Sequence, residues 1–166
     1  MKRTGRILSL KGVVYTPSAA RGNEAYHSVF SDGREGYGWK VVSFEYTAGL
    51  NGTNARTPPN MQLWTLSKEE SVQVQFTAGP HRFNDNRMIA YNEGVSLYSS
   101  GVACTKGACL LDPNHIVARD LGIYLPIADT DEAASYLIIL EEYTISDKEE
   151  VISLIKAEGQ KVGRTD

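Results

Sequence analysis

Two cysteines and two histidines are the first residues in this chain whose chemistry could make a metal site. Cys104, Cys109, His81 and His115 offer the thiolate and imidazole ligands that zinc prefers. The spacing Cys-Thr-Lys-Gly-Ala-Cys is looser than the usual pair of zinc ligands, and the chain has no second pair of cysteines. The alternative is a hairpin tip that turns at Lys106-Gly107, where the two cysteines face one another and are either reduced or bridged. We therefore predict no metal site and name Cys104 and Cys109 as a pair that could form a disulfide.

The arrangement of the histidines and acids gives little support for catalysis. The three histidines, at positions 27, 81 and 115, lie in no diagnostic motif, and the chain has no Gly-x-Ser-x-Gly elbow and no phosphate-binding Gly-x-x-x-x-Gly-Lys loop. His115 follows Asp112-Pro113-Asn114 and is expected to close a turn before a strand. Glu141 and Glu142 are adjacent in a predicted strand, where neighbouring side chains point to opposite faces and cannot share one substrate. We predict that the chain is not an enzyme and binds no cofactor.

Basic residues are concentrated at the start of the chain and acidic residues near its end. The opening stretch contains no acid and four basic residues, which are Lys2, Arg3, Arg6 and Lys11. These four could neutralise phosphates of a packaged genome, although a solvated N-terminus would have the same composition. The net charge of −3 and the pI near 5.6 argue against a protein whose whole surface binds nucleic acid. We predict that the four residues bind nucleic acid, with a short basic arm over residues 1–6.

Other charged and aromatic residues could make contacts at the surface. Ion pairs between loops or between subunits are expected from four charged residues, Asp85, Arg87, Arg119 and Asp120. Trp39 and Trp64 could stack on sugar rings in a glycan-binding module. Both tryptophans also fit an alternation that places them in the core, and this is the interpretation that we rank higher.

Short apolar segments between turn residues predict the elements that must position these side chains. The segments are rich in Val, Ile, Tyr, Phe, Trp and Thr, which is typical of a sandwich or a barrel. In the strand over residues 39–46, we expect Val42, Phe44 and Tyr46 to face the core. The other strands are predicted over residues 6–15, 25–30, 61–66, 72–77, 87–91, 95–98, 116–125 and 136–145.

The connections between these segments complete the predicted fold. Residues 48–60 predict a long loop, and the segments 61–66 and 72–77 a hairpin with Val72 facing inward. The strand over 136–145 opens with five apolar residues, YLIIL, and such a run predicts cover on both faces. Ser146-Asp147-Lys148-Glu149 is a capping-box pattern, which predicts a C-terminal helix over residues 147–158.

Length and composition fit a single domain over residues 1–166. Apolar residues make up 42% of the chain and charged residues 22%, as in ordinary globular proteins. No apolar run approaches the ~18 residues of a membrane-spanning helix, and the two cysteines fit a chain made in a reducing cytoplasm. We predict an all-β fold, an antiparallel β-sandwich with one short C-terminal helix.

Several segments resemble small virion proteins from environmental virus sequences. The similar stretches are DNRMIAY, DPNHIVARDLGIYL and YLIILEEYTISDKEEVISLIKAEGQ, together with RILSLKG and GWKVVSFEY. The resemblance implies a jelly-roll-like β-sandwich, a capsid subunit that assembles with copies of itself into a closed shell. It also implies a location in the virion after synthesis in the host cytoplasm, with genomic nucleic acid as a partner of the N-terminal arm.

Two other functions fit the same pattern of strands. A carbohydrate- or receptor-binding β-sandwich, such as a spike or tail module of a virion, would use exposed aromatic residues. A small metal-dependent, cupin-like enzyme would need clustered histidines, which are widely separated in this chain. We therefore rank the shell subunit first, the binding module second and the enzyme third.

Overall fold

The protein is built mostly of β-strands. The computed structural model describes residues 1–16, 22–48, 61–72, 85–92, 96–98, 101–105, 109–125 and 132–146. The strands in these ranges are β1 (Lys2–Thr16), β2 (Tyr26–Ser31), β3 (Tyr37–Ala48), β4 (Met61–Trp64), β5 (Met88–Asn92), β6 (Ser96–Tyr98), β7 (Gly101–Thr105), β8 (Cys109–Leu111), β9 (Asp120–Tyr124) and β10 (Glu132–Thr144). They are accompanied by a 3₁₀ turn at Gly22–Ala25 and a one-turn helix, α1 (Lys68–Ser71). The C-terminal helix predicted over 147–158 lies outside the described residues.

The strands form two main antiparallel sheets. One has three strands in the order β1-β10-β3, and the other has five strands in the order β2-β9-β4-β5-β8. The strands β6 and β7 pair in a separate two-stranded ribbon. These sheets confirm the prediction of an all-β, sandwich-like fold.

The two main sheets enclose an apolar core. Inward side chains alternate with outward ones along β1, β3 and β10, as in packed sheets generally. The three-stranded sheet contributes Trp39, Phe44, Ile138 and Leu140, each with no more than 2% of its surface exposed. The five-stranded sheet contributes Met61, Leu63, Ile89, Leu121 and Ile123.

A second apolar cluster covers the outer side of the five-stranded sheet. It consists of Ala25, Tyr26, Trp64, Leu66, Met88 and Tyr124, all buried. Residues 65–71, which include α1, lie against this side. The Tyr26 hydroxyl donates a hydrogen bond to the Leu66 carbonyl at 2.6 Å, and Lys68 Nζ donates to the Tyr26 carbonyl at 2.6 Å. The chain therefore supplies its own cover for this face.

Gly122 lets Tyr26 pack flat against β9. A Cβ placed on Gly122 would come within 2.0 Å of the Tyr26 hydroxyl oxygen and 2.1 Å of Cζ. The ring cannot swing away, because it is 1% exposed and its hydroxyl is held by Leu66. This position therefore requires a residue with no side chain.

The structure corrects the predicted orientation of one residue in β3. Val42 was expected to face the core, but 56% of its surface is exposed. The register between β3 and β10 shifts where Ser43 pairs with Ile139 and Val41 pairs with Leu140, so Val42 is the extra residue of a β-bulge. The bulge changes the phase of the alternation, and Val41 and Phe44 both point inward.

The hairpin predicted between residues 61–66 and 72–77 is wrong over its described part. β4 pairs with β5 and β9, and the predicted turn is instead α1. Ser67 accepts a hydrogen bond from the Glu70 amide, and the Glu70 side chain accepts one from the Ser67 amide, which completes a capping box. Val72, predicted to face inward, is 64% exposed. Residues 73–84 lie outside the described residues.

Candidate functional site

The outer side of the three-stranded sheet carries large apolar side chains that are accessible to solvent. Alternation along β1 turns Ile7, Val13 and Tyr15 away from the core, and they are 60%, 67% and 51% exposed. Val42 joins them from the bulge of β3. Two half-buried residues of the central strand complete what we call the outer apolar face, which is made of Ile7, Val13, Tyr15, Val42, Leu137 and Ile139.

The central strand β10 is covered fully on only one side. Its apolar run predicted cover on both faces, and its inward residues Ile138 and Leu140 are indeed 0% exposed. Its outward residues Leu137 and Ile139 are only partly buried. Exposed apolar patches of this kind mark contact surfaces in soluble proteins. The outer apolar face is therefore the best candidate for a functional surface among the described residues.

A second candidate is a group of charged residues around the buried carboxylate of Glu142. Arg34 Nη2 lies 2.6 Å from Glu142 Oε1, and Arg6 Nη1 lies 3.3 Å from the same oxygen. The Thr4 hydroxyl donates to Glu142 Oε2 at 2.8 Å. Asp32 accepts hydrogen bonds from Nε and Nη2 of Arg34 and a 2.7 Å hydrogen bond from the Trp39 indole. We call Thr4, Arg6, Asp32, Arg34 and Glu142 the Glu142 cluster.

Both carboxylates of this cluster are held in their charged form. Burial alone would raise the pKa of Glu142, but hydrogen bonds from Arg34 and Thr4 and the charges of Arg34 and Arg6 hold it below its usual value. Hydrogen bonds from Arg34 and, to a smaller extent, from Trp39 lower the pKa of Asp32 to about 2, although burial acts in the opposite direction. Paired charges of this kind join β1, the turn after β2 and β10, so the cluster fastens the two sheets at one end.

A bulge in β1 explains why two of its residues reach the same carboxylate. The register pairs Arg3 with Tyr143 and Ile7 with Glu141, so β1 has two more residues than β10 across this interval. Gly5 lies within it at φ +87°, a left-handed conformation that favours glycine. Thr4 and Arg6 both turn toward Glu142 as a result.

The adjacent glutamates act separately, as the sequence predicts. Glu142 is 4% exposed and faces the Glu142 cluster. Glu141 lies on the other side of the strand, where it forms an ion pair with Arg3 and accepts a 2.6 Å hydrogen bond from the Tyr143 hydroxyl. The burial of Glu142 was not predicted, because its partners are 108 or more positions away in the sequence.

Residues 2–6 of the predicted basic arm belong to β1. Lys2 and Arg3 pair with Thr144 and Tyr143, so β1 starts at the second residue. This pairing satisfies the backbone groups on the side of β1 that faces β10. In an unattached arm, these groups would bind water instead. Of the four residues predicted to bind nucleic acid, Arg3 and Arg6 form ion pairs within the chain. Lys2 and Lys11 are exposed strand residues.

The backbone places the two cysteines in different sheets. Cys104 lies in β7, which pairs with β6, and Cys109 begins β8, which pairs with β5. The described pairings therefore do not include the hairpin predicted between them. The side chains of both cysteines lie outside the described residues, so their disulfide stays a prediction.

His115 has the structural role predicted for it. Its Nε2 accepts a 2.8 Å hydrogen bond from the Val41 amide, and its Nδ1 contacts the Asp112 carbonyl, so Nδ1 carries the proton. Burial lowers the pKa of His115 and keeps the ring neutral. His81 lies outside the described residues. Within the ranges that the structure describes, no group of three or more His, Cys, Asp or Glu residues is placed to hold a metal ion.

The tryptophans and one predicted ion pair also occupy structural positions. Trp39 and Trp64 are 2% and 0% exposed, which confirms the core interpretation and removes them as stacking platforms for a glycan. Arg87 is buried and makes 2.9 and 2.7 Å hydrogen bonds to the two carboxylate oxygens of Asp85, so this pair is local. Arg119 contributes its carbonyl to the Asp32 amide at 2.8 Å.

The sequence contained a signal for the outer apolar face that the strand prediction did not use. In β1, apolar residues occur in both phases of the alternation: Leu8, Leu10 and Val14 point inward, and Ile7, Val13 and Tyr15 point outward. A strand with only one covered face needs apolar residues in one phase. Apolar residues in both phases therefore indicate a second contact.

Comparison with protein-family models, with curated proteins and with solved structures finds no match to this chain. In the described part of the chain, no helix has the length and apolar character needed to cross a membrane. The geometry of the two candidate surfaces therefore carries the functional argument.

Proposed function

We propose that the protein is a structural subunit of a virion that assembles with copies of itself into the viral shell. The observation that carries the proposal is the outer apolar face, on which four large side chains are each more than half exposed. An exposed apolar face lowers the solubility of a chain that stays monomeric. When the chain packs against other molecules, burial of the same face stabilises the complex. The resemblance of the strands and turns to small virion proteins points to copies of the same chain as those molecules.

The order of strand pairing supports a jelly roll as the finer description of the fold. β1 pairs with β10, β2 with β9 and β4 with β5, so the pairs are nested along the chain. The first four strands also alternate between the two main sheets. A long antiparallel ribbon rolled around a core produces this order, and jelly rolls form viral capsid domains as well as lectins and cupins.

Genomic nucleic acid is the second partner that we propose. Arg3 and Arg6 share their charge with glutamates of the same chain, and Lys11 lies in one row with Leu137 on the outer side of the three-stranded sheet, which leaves Lys2 as the strongest candidate among the four predicted residues. Few phosphate contacts give a weak and only mildly salt-dependent interaction. The proposed shell therefore depends mainly on protein contacts.

Electron microscopy and light scattering of the purified chain test the proposed function. We expect closed particles of uniform size to form as the protein concentration rises, with or without single-stranded nucleic acid. A monodisperse monomer at high concentration under both conditions would contradict the proposal. Binding of a glycan panel by that monomer would favour the binding module instead.

A further inference from the structure

A self-complementary row of side chains crosses the outer apolar face. The register pairs Lys11 on β1 with Leu137 on β10, and Leu137 with Glu45 on β3. All three side chains point to the outer side of the sheet, and Lys11 and Glu45 are exposed. From one edge strand to the other, the row is therefore basic, apolar and acidic.

The next row has no charge and continues the apolar centre. It contains Ser9 on β1, Ile139 on β10 and Ser43 on β3. Leu137 and Ile139 are therefore adjacent outward residues in the middle of the face. Glu141 lies beyond them, where its own chain supplies Arg3 and the Tyr143 hydroxyl as partners.

This pattern selects one symmetry for a face-to-face pair of chains. A two-fold axis parallel to β10 exchanges the edge strands, so β1 of one copy lies across from β3 of the other. Lys11 then lies opposite Glu45 of the partner subunit, and Leu137 and Ile139 lie against their own copies. An isologous interface repeats each contact, so the ion pair forms twice.

The other face-to-face arrangement leaves Lys11 without a complementary group. An axis perpendicular to the strands would place β1 across from β1, and this strand contains no acidic residue to meet the outward Lys11. Like charges facing one another across an interface are costly. Charge complementarity therefore favours the axis parallel to β10.

We propose that the outer apolar face is an isologous dimer interface, on which a second copy of this chain packs with its two-fold axis parallel to β10. The inference rests on the proposed function, because it names the partner and the surface of the first step of assembly. Three strands about 4.8 Å apart and a central strand about 43 Å long present roughly 600 Å² per copy. Two copies then bury about 1,200 Å², which is the lower end of the range for stable specific interfaces.

A charge exchange tests the interface through the dimer dissociation constant. Sedimentation equilibrium is measured on the full chain, at concentrations below those that give particles, for the variants K11E, E45K and the double variant K11E/E45K. Each single variant is expected to raise the dissociation constant at least about tenfold, because it places like charges opposite one another twice. The double variant exchanges the two signs and is expected to return to within about threefold of the natural chain. All changes lie on exposed side chains, so urea unfolding checks that each variant is folded.

The outcomes separate this inference from the proposed function. Dimers that are lost in both single variants and restored in the double variant support the interface, even if no particles form and the shell proposal fails. Two results would overturn the interface and leave the shell proposal standing, if particles form. In the first, all three variants dimerise like the natural chain. In the second, neither the natural chain nor any variant forms a dimer. A single variant that weakens the dimer without rescue by the double variant also overturns it, because the pairing of the two charges is then not the cause.

Discussion

The two main sheets differ in how their outer sides are covered. On the five-stranded sheet, Trp64 and Tyr124 point away from the core and are 0% and 6% exposed, because residues 65–71 and Tyr26 pack over them. On the three-stranded sheet, Val13 and Tyr15 occupy equivalent outward positions and are 67% and 51% exposed.

Outward apolar residues therefore have two uses in this fold. On the five-stranded sheet they stabilise the single chain, since their burial is complete within it. On the three-stranded sheet they contribute little to a single chain and are available to stabilise an assembly. Substitutions on the two sides should therefore act on different measurements.

The largest effect is expected from breaking the cover of the five-stranded sheet. Gly122→Ala places a methyl group against the buried ring of Tyr26, and we expect the free energy of unfolding to fall by about 3 kcal/mol. The matched control is Gly33→Ala, since a Cβ on exposed Gly33 meets nothing within 4 Å. Urea unfolding at low protein concentration measures both, and equal losses in the two variants would contradict the packing described for Tyr26.

Neighbouring valines in β3 sharpen the contrast between the covered and uncovered sides. Val41→Ala removes methyl groups from the core and is expected to cost about 2 kcal/mol of unfolding free energy. Val42→Ala changes a side chain that is 56% exposed and is expected to cost less than about 0.5 kcal/mol in the dissociated chain. A larger loss of unfolding free energy for Val42→Ala than for Val41→Ala would contradict the position of the bulge at Val42.

Neighbouring glutamates in β10 give a smaller, pH-dependent version of the same contrast. Glu142→Gln is expected to cost about 1 to 2 kcal/mol at neutral pH, and Glu141→Gln, whose partner Arg3 is 59% exposed, less than about 0.5 kcal/mol. The pKa of Glu142 is lowered in the folded chain, so its stabilisation is present above the ordinary value of 4.5 and is lost as the pH falls through the folded pKa. Unfolding measured from pH 7 to pH 3 should therefore show the natural chain and Glu142→Gln converging in acid. A difference that stays constant with pH would exclude the carboxylate as its cause.

Much of the sheet structure could be predicted from local patterns. The alternation and β-branched residues of β1, β3 and β10 predict these strands, and Asp112-Pro113-Asn114 predicts the turn that His115 closes. The predicted hairpin uses residues 67–71 as its turn, although Ser67 and Glu70 have capping-box spacing. Here the apolar segments on either side suggested pairing with each other, whereas tertiary contacts pair β4 with β5 and β9.

Apolar residues in both phases of β1 signal a second contact, but the full composition of the two candidate surfaces was beyond local prediction for a different reason. The Glu142 cluster joins Thr4, Asp32 and Glu142, whose proximity depends on the register of β1 and β10 and on a bulge near Gly5. The outer apolar face consists of the alternate side chains that the five-stranded sheet does not cover. The bulge at Val42 changes which alternate residues of β3 these are. Single-residue shifts of this kind leave no mark in the periodicity of a short segment.

The most direct measurement of the central claim compares one valine on the outer apolar face with one elsewhere on the surface. Val13 and Val72 are 67% and 64% exposed, so Val13→Lys and Val72→Lys make the same chemical change at similar exposure. Light scattering over a concentration series is expected to show that Val72→Lys associates like the natural chain and that Val13→Lys stays monomeric. Association of Val13→Lys at the same concentrations as the natural chain would contradict the claim that copies of this protein meet through the outer apolar face.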